Sequence, residues 1–398
     1  MKTLVKIFFL FLGINTINAQ TPISFENALE KALENNLEIK GANLKLNYQE
    51  KMKKSGAMID PLSLAGEFGQ FNSKDVDNRF TVSQTFRLPG FYKKQKQVLI
   101  EEWKASQIGL NLQKWQLKKQ LSLIFNQLHY FDAKEKLLTK VDSIYGKYLE
   151  RANVRLQKGE SNILEKTSAE SLKNQANIQL NNLKKDREIA LQQLGILIND
   201  GTIYTNEAKK FTKLNLSFDL QNIDNHTIIQ QLEQQKNVED KRLLAEKSKL
   251  SPSFSVGYNN MSMLRDYGSS RLHGGLVGIN IPIFNAGQKA VIAGQEINQK
   301  IAENNKEMAL LTLKKQGQDL YKTYEKLKTE VEYYENEGLA NSEKIIKTAN
   351  RQFYGGEINF LEWTMVMNQA LDIQNQHINQ LNELNSVIIE LNSLSESE

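Results

Sequence analysis

The chain has 398 residues, a formal net charge of +5 and no cysteine, so disulfides and thiolate metal sites are excluded. Acidic and basic residues are interspersed along helical patterns, which favours solvated helix faces over a nucleic-acid-binding patch. Five prolines and 22 glycines are few for a chain of many short strands and turns, so the composition predicts long helices.

Residues 1–19 have the layout of a secretory signal peptide. Lys2 and Lys6 precede a short apolar run, and cleavage is expected after Ala19. Beyond Ala19 no window of about 18 apolar residues recurs, so any membrane crossing would have to use β-strands. The sequence therefore predicts an exported protein.

The next region, 20–198, is predicted to form the first of two similar halves. Its predicted elements are a helix from Ser24 to near Gly56, strands at 62–71 and 79–88, a long helix at 91–156, a tip at 157–163 and a half-helix to 198. A helix of about 65 residues would extend for roughly 100 Å at 1.5 Å per residue. That length is unusual for a compact domain.

The same programme recurs at 225–394, after an irregular connector at 199–224. Its predicted elements are a half-helix, strands at 253–261 and 275–284, a long helix at 287–353, a tip at 354–361 and a last half-helix, followed by a polar tail at 395–398. The segments Gly159–Glu165 and Gly356–Glu362 nearly match, which gives a repeat of 197 residues. The sequence thus predicts a mainly α fold with a small β part, built from a duplicated helix-strand-strand-long helix-helix unit.

Each predicted strand alternates between apolar and polar residues. Such alternation places one class of side chain on each face of a sheet. The predicted lipid-facing residues are Phe80, Val82, Phe86, Val277, Ile279 and Ile281. The residues predicted for the other face, which would line the lumen if the strands form part of a barrel, are Arg79, Thr81, Arg87, Gly278 and Asn280.

Four strands are too few to close a barrel, for which about eight is the usual minimum. An open sheet in lipid would leave unpaired backbone groups at its edges, so other subunits must complete it. A soluble sheet that caps a coiled coil would show the same alternation and stays an open alternative.

Three motifs carry a family resemblance. They are Ser83-Gln84-Thr85-Phe86-Arg87-Leu88-Pro89-Gly90, Ile281-Pro282-Ile283-Phe284-Asn285-Ala286-Gly287 and the two tips that run from glycine to Leu-Glu. With these helix lengths and their duplication, the chain resembles the TolC-like outer-membrane efflux protein family over nearly its whole mature length. The first motif is similar to the joint of the cation-efflux members.

The resemblance implies a homotrimer in the outer membrane of a Gram-negative bacterium. Each chain would contribute four strands to a 12-stranded barrel, which continues as an α-helical barrel in the periplasm. The implied partners are outer-membrane lipid, a periplasmic adaptor protein and an inner-membrane transporter, with the resistance-nodulation-division type favoured. Nucleic acid is not an implied partner.

The resemblance also implies an acidic constriction six residues after each tip glycine. Glu165 and Glu362 stand at these positions, and Met365 occupies the place of a second gate acid one turn further on. The residues expected at the tip turns and adaptor contacts are Gly159, Gly355, Gly356, Arg155 and Arg351. Alternatively, the two glutamates are first-turn acids that the helix dipole favours.

No residue pattern indicates catalysis, a cofactor or a metal centre. The four histidines, His129, His226, His273 and His377, lie far apart and lack partners at metal-ligand spacing. Met261 with Met263, and Met365 with Met367, could bind copper(I), but such methionines more commonly fill gaps in packing. The sequence predicts a protein that is not an enzyme.

Three functions stay open at this level. The first is a passive, gated exit duct of a tripartite pump for cations, heavy metals or small toxic compounds. The second is the exit duct of a type I protein secretion system, and the third is an exported coiled-coil scaffold without a pore.

Overall fold

A computed structural model describes residues 21–71, 74–207, 209–265 and 268–395. The predicted signal peptide and the last three residues of the predicted tail lie outside the described residues. The helices and strands of the first half are β1 (Thr21–Ile23), α1 (Phe25–Asn35), α2 (Leu37–Met52), β2 (Ser63–Gly69), β3 (Asp77–Arg87), α3 (Pro89–Gln157) and α4 (Ile163–Ile198). A short 3-10 helix, Lys53–Ala57, follows α2.

The second half repeats this order. Its helices and strands are β4 (Tyr204–Asn206), α5 (Thr227–Ser248), β5 (Ser253–Arg265), β6 (Gly268–Asn280), α6 (Ala286–Tyr333), α7 (Leu339–Tyr354) and α8 (Phe360–Ser395). A 3-10 helix, Leu220–Asn225, precedes α5, and a π-helix, Tyr334–Gly338, lies between α6 and α7. The mainly α fold with a small, duplicated β part is confirmed.

The first predicted helix is divided in two at Asn36. Ser24 is its N-cap, since its hydroxyl accepts a hydrogen bond of 3.2 Å from the backbone N–H of Asn27. Asn36 has φ −58° and ψ 133°, which lies outside the helical region, and its side-chain amide donates a bond of 3.0 Å to the carbonyl of Leu197. This bond joins the break between α1 and α2 to the last turn of α4.

The second long helix also differs from the prediction. The sequence predicts one helix over 287–353, whereas the π-helix separates α6 from α7. In the first half, α3 continues through the corresponding positions without a break. The duplication is therefore not symmetrical at this point.

The predicted irregular connector contains short regular elements. β4 pairs in parallel with β1, from Thr21 opposite Tyr204 to Ile23 opposite Asn206. The Asn206 side chain donates a bond of 2.6 Å to Asp132 and accepts one of 2.9 Å from Arg187. These bonds attach the connector to α3 and α4.

The chain divides into two compact units. The described residues of the first unit lie within Met1–Asn36, Gln120–Lys213 and Thr329–Ser386, and those of the second lie within Leu37–Lys119, Leu214–Lys328 and Val387–Glu398. A core of the first unit surrounds Tyr148, Trp363 and Met367, which are buried. A core of the second unit includes Ile223, Leu313 and Leu394. Buried side chains of this kind stabilise the units through the hydrophobic effect.

Candidate functional site

The second unit contains a four-stranded sheet with the strand order β2-β3-β5-β6. All three strand pairs are antiparallel, and the central pair joins the two sequence halves. The two hairpins therefore lie side by side. In the described residues, β2 and β6 are the edges of this sheet, so each pairs along one side only.

The strand register shows which side chains share a face, because directly opposite residues in an antiparallel pair point to the same side. Val82 lies opposite both Leu64 and Tyr258, and Val256 lies opposite Val277. We call this side the apolar face. Its apolar members are Leu64, Phe68, Phe80, Val82, Phe86, Phe254, Val256, Val277 and Ile279.

The apolar face is exposed in the single chain. Val277 is 83% exposed, Ile279 is 59% exposed and Phe80 is 44% exposed. Apolar side chains that are contiguous and exposed to this extent indicate a contact with lipid or with another protein.

The opposite side of the sheet, the polar face, has different chemistry. Arg79 forms an ion pair of 2.9 Å with Glu67, which lies directly across from it. Arg87 lies over the Phe91 ring, with its guanidinium carbon 4.5 Å from the ring centroid. The register also places Thr81, Gly278 and Asn280 on this side.

The two joints between sheet and helix differ in length. α3 begins at Pro89, two residues after the end of β3, and the fixed φ of proline suits a first helical position. In the second half, β6 ends at Asn280 and α6 begins at Ala286. The strand predicted at 275–284 is observed as β6. It begins earlier than predicted, at Gly268, and it ends four residues sooner, at Asn280. Ile281 lies just beyond it and is 62% exposed.

The first unit contains both tips, and their turns have the same geometry. Gly159 has φ +72° and Gly356 has φ +77°, a region that favours glycine. The N–H of Glu160 donates to the carbonyl of Arg155 at 2.9 Å, and the N–H of Glu357 donates to that of Gln352 at 2.9 Å. Both turns are Schellman motifs, which satisfy the last carbonyls of a helix.

Glu165, near the first tip, is enclosed by donors. Its Oε1 accepts bonds of 2.9 Å from Arg155 and 2.8 Å from Tyr148, and Oε2 accepts from Ser161 at 2.5 Å. Its side chain is 12% exposed. Burial, together with the bond to this carboxylate, raises the pKa of Tyr148. The arrangement neutralises Glu165 with Arg155.

Glu362, at the equivalent position in the second copy, is exposed and has different contacts. Its Oε2 accepts a bond of 2.9 Å from the N–H of Asn359, and its own N–H donates to Asn359 Oδ1 at 3.0 Å. This reciprocal pair is a capping box at the start of α8. Met365 is 65% exposed one turn further on. The predicted constriction residues thus have unlike environments in the two copies.

The comparisons with known proteins found neither a family model nor a curated protein that matches this chain. Solved structures do match. CusC, whose conformational changes accompany folding and transmembrane channel formation, has a TM-score of 0.78 and 16% identity over 94% of this chain and 92% of that chain. The outer membrane protein VceC of Vibrio cholerae has a TM-score of 0.76 and 11% identity over 94% and 96%. The open-state MtrE outer membrane channel of Neisseria gonorrhoeae has a TM-score of 0.75 and 15% identity over 94% and 89%.

The chain has the fold of TolC-type outer-membrane channels. At these identities the likeness concerns the fold, which the sequence motifs predicted. None of the helices among the described residues is long and apolar enough to cross a membrane.

An aromatic cluster lies beside the second tip of this TolC-type fold, and the sequence patterns do not predict it. Tyr148 stacks on Phe360 with ring centroids 4.7 Å apart and on Trp363 at 4.8 Å. The indole N–H of Trp363 donates to Asn350 at 3.0 Å, which satisfies its polar atom. These residues come from α3, α7 and α8, so only their helical spacing within each element is visible in the sequence.

The other residues expected at the second tip, and the methionines that follow it, lie in different environments. Arg351 is exposed in the last turn of α7, and Gly355, with φ −80°, is the C-cap of that helix. Met365 is exposed while Met367 is buried, so the two side chains do not form a pair. Across the described residues, no three His, Cys, Asp or Glu side chains are grouped to hold a metal ion.

Proposed function

We propose that this protein is the outer-membrane exit duct of an efflux assembly. The observation that carries the proposal is the exposed apolar face on a sheet that ends in two edge strands, within a chain that has the TolC-type fold. Edge strands in lipid require a partner strand, and further copies of the chain supply one. A homotrimer would combine four strands from each chain into a 12-stranded barrel.

In this arrangement the apolar face contacts lipid and the polar face lines the lumen. Phe80, Val82 and Phe86 share the face that the register assigns to Val277 and Ile279. Arg79, Thr81, Arg87, Gly278 and Asn280 lie on the other side. The alternation that makes one face compatible with hydrocarbon therefore makes the other compatible with a wet channel.

We further propose that Glu362 forms an acidic ring in the periplasmic constriction, and that Glu165 does not contribute to it equally. Glu362 is exposed, whereas the carboxylate of Glu165 is paired with Arg155. An exposed ring of carboxylates attracts cations to a narrow passage. The mechanism is gated diffusion, with energy supplied by the inner-membrane transporter.

The duct is tested by reconstituting the purified, verified trimer in planar bilayers. Discrete conductance is expected, whereas a correctly assembled trimer that never conducts would count against the duct and in favour of an exported scaffold. Isolation of the protein from the outer-membrane fraction tests its location independently.

The gate is tested with Glu362→Gln, for which we expect reduced cation selectivity, because the substitution removes one carboxylate per subunit from the passage. Glu165→Gln is the matched control at the equivalent position. It should change selectivity less, because Arg155 already neutralises that carboxylate. Unchanged cation selectivity with Glu362→Gln would remove Glu362 from the constriction. Equal losses of selectivity in the two variants would instead show that Glu165 contributes as much as Glu362.

A periplasmic adaptor and a resistance-nodulation-division transporter complete the proposed assembly, with cations or small toxic compounds as cargo. The cation-efflux type of joint at Gln84 and Pro89-Gly90 supports this cargo.

Cross-linking from the exposed Arg351 tests the adaptor contact. Neighbouring genes for an ABC exporter, rather than a proton-driven one, would assign the duct to protein secretion.

A further inference from the structure

The apolar face changes its chemistry near the end of the sheet that lies away from α3. There the register places five polar or amphipathic side chains on this face, which we call the polar belt: Asn78, Tyr258, Asn260, Arg271 and His273. His273 lies directly opposite Asn260, and Tyr258 approaches the His273 ring with centroids 5.9 Å apart. The belt crosses β3, β5 and β6 on the same side as Phe80 and Val277.

Arg271 is held in place within this belt. Its Nη1 donates to Asn260 Oδ1 at 2.6 Å and to Asn78 Oδ1 at 3.1 Å. Asn260 Nδ2 also lies 3.2 Å from His273 Nδ1. Two bonds from one nitrogen orient the planar guanidinium, so its position relative to the sheet is defined before any ligand binds.

The acidic side chains of the sheet lie elsewhere. Among the strand residues whose side chains the structure describes, the carboxylates are Glu67 and Asp77, and the register places both on the polar face. Arg271 is the single arginine or lysine on the apolar side within that same set. Its charge therefore has no carboxylate partner on its own face of the described strands.

The location of such a charge is informative if the sheet lies in a membrane, as the proposed function holds. An arginine that faces lipid is costly near the bilayer midplane and is tolerated near the interface. Tyrosine also prefers the interface, where its ring is apolar and its hydroxyl meets water. Since the helices would lie in the periplasm, this end of the sheet would reach the outer leaflet.

We propose that the polar belt binds a phosphate group on the headgroup of an outer-leaflet lipid, with Arg271 as the principal ligand. Guanidinium matches phosphate through parallel N–H donors, and His273 and Tyr258 stand beside it to add polar contacts. The acyl chains of the same lipid would lie along the apolar face. The belt would thus set the depth of the barrel in the membrane. This inference rests on the proposed function.

The test is native mass spectrometry of the delipidated, detergent-purified oligomer. The probes are a diphosphorylated glucosamine lipid, its dephosphorylated form and inorganic phosphate. Wild-type protein should prefer the phosphorylated lipid, and Arg271→Gln should weaken that binding roughly tenfold, as expected for loss of one charged hydrogen-bonding group. Arg79→Gln, on the polar face, is the matched control and should bind the lipid as wild type does.

Equal binding of the phosphorylated and dephosphorylated lipids, or equal losses in both variants, would overturn the inference. Displacement of the lipid by an equal concentration of inorganic phosphate would indicate a free-anion site instead. If Arg271→Gln fails to assemble, protection of Arg271 from phenylglyoxal by the phosphorylated lipid in wild-type protein decides the matter. Lipid binding is measured without conductance, so its failure in a conducting trimer leaves the duct intact.

Discussion

Glu165 and Glu362 show how two equivalent residues acquire different properties. Their sequence contexts nearly match, but Arg155 in the first copy corresponds to Gln352 in the second. The guanidinium pairs with Glu165, while Glu362 caps the backbone of α8 instead. The other two donors to Glu165, Tyr148 and Ser161, likewise correspond to Ile345 and Ile358, so the second copy lacks all three donors that enclose the first carboxylate.

Replacement of Arg155 by Gln, the residue of the second copy, should destabilise the first tip by about 1 kcal/mol, because a mostly buried carboxylate loses a charged donor that is itself partly exposed. Urea unfolding followed by tryptophan fluorescence measures this. Lys185→Gln is the control, since its pair with Glu188 is exposed on both sides. A loss no larger than that of the control would show that the Arg155 pair is not stabilising.

Asp200 should make the first unit sensitive to acid. Burial raises its pKa, but bonds from Tyr204, the Thr202 backbone and Lys31 outweigh burial and lower the pKa from 3.8 to about 2. Because the folded pKa is the lower one, the stabilisation is present above pH about 4 and is lost as the pH falls towards about 2.

Asp200→Asn removes this titration, so thermal stability should depend less steeply on pH between about 4 and 2. Circular dichroism melts across that range measure the slope. Tyr204→Phe should raise the pH at which this stabilisation is lost, because the substitution removes a hydrogen-bond donor to the Asp200 carboxylate. If the melting temperatures of wild type and Asp200→Asn fall equally steeply between pH about 4 and 2, the acid sensitivity does not come from Asp200.

At the scale of elements, the tips are the features that the sequence describes best. The positive φ of Gly159 and Gly356 explains why glycine recurs 197 residues apart. The π-helix Tyr334–Gly338 is the opposite case, because it interrupts one long helix and not the other. Its apolar periodicity resembles that of an ordinary helix, and so the pattern does not reveal the break.

Gly159→Ala and Gly356→Ala should each cost about 1–2 kcal/mol, since alanine is strained in the left-handed region. Gly195→Ala is a control of opposite sign. It lies within α4 with open space around its position, so alanine should stabilise the helix by roughly 0.5–1 kcal/mol. The same unfolding assay compares the three variants. Similar effects at positions 159 and 195 would argue against a strained tip.

For the whole molecule, the order β2-β3-β5-β6 leaves two edge strands among the described residues, which the proposed homotrimer would pair with strands of other chains. Because the chain lacks cysteine, introduced cysteines report on this directly. Ala65→Cys on β2 combined with Gly278→Cys on β6, treated with a short bismaleimide, should give covalent species that stop at three chains.

Thr85→Cys with Ser255→Cys is the matched control. These two residues lie directly opposite each other on the central strands, so the cross-link should form within one chain. Denaturing gel electrophoresis separates the outcomes. Cross-linked species of more than three chains, or only monomers from the edge-strand cysteine pair, would contradict the proposed homotrimer.

The sequence by itself determined the kind and order of the elements, because periods of 2 and 3.6 residues and the glycine turns are local properties. It also predicted the TolC-type fold. Only the tertiary structure decided that β3 pairs with β5, and that Asn36 and the π-helix divide predicted helices. It also decided that Tyr148 stacks on Trp363, and that Glu165 is neutralised by Arg155 while Glu362 is exposed. The strand pair, the bond at the Asn36 break, the ring stack and the Glu165 ion pair depend on partners from separate elements, and a local pattern contains no information about which side chains the fold brings together.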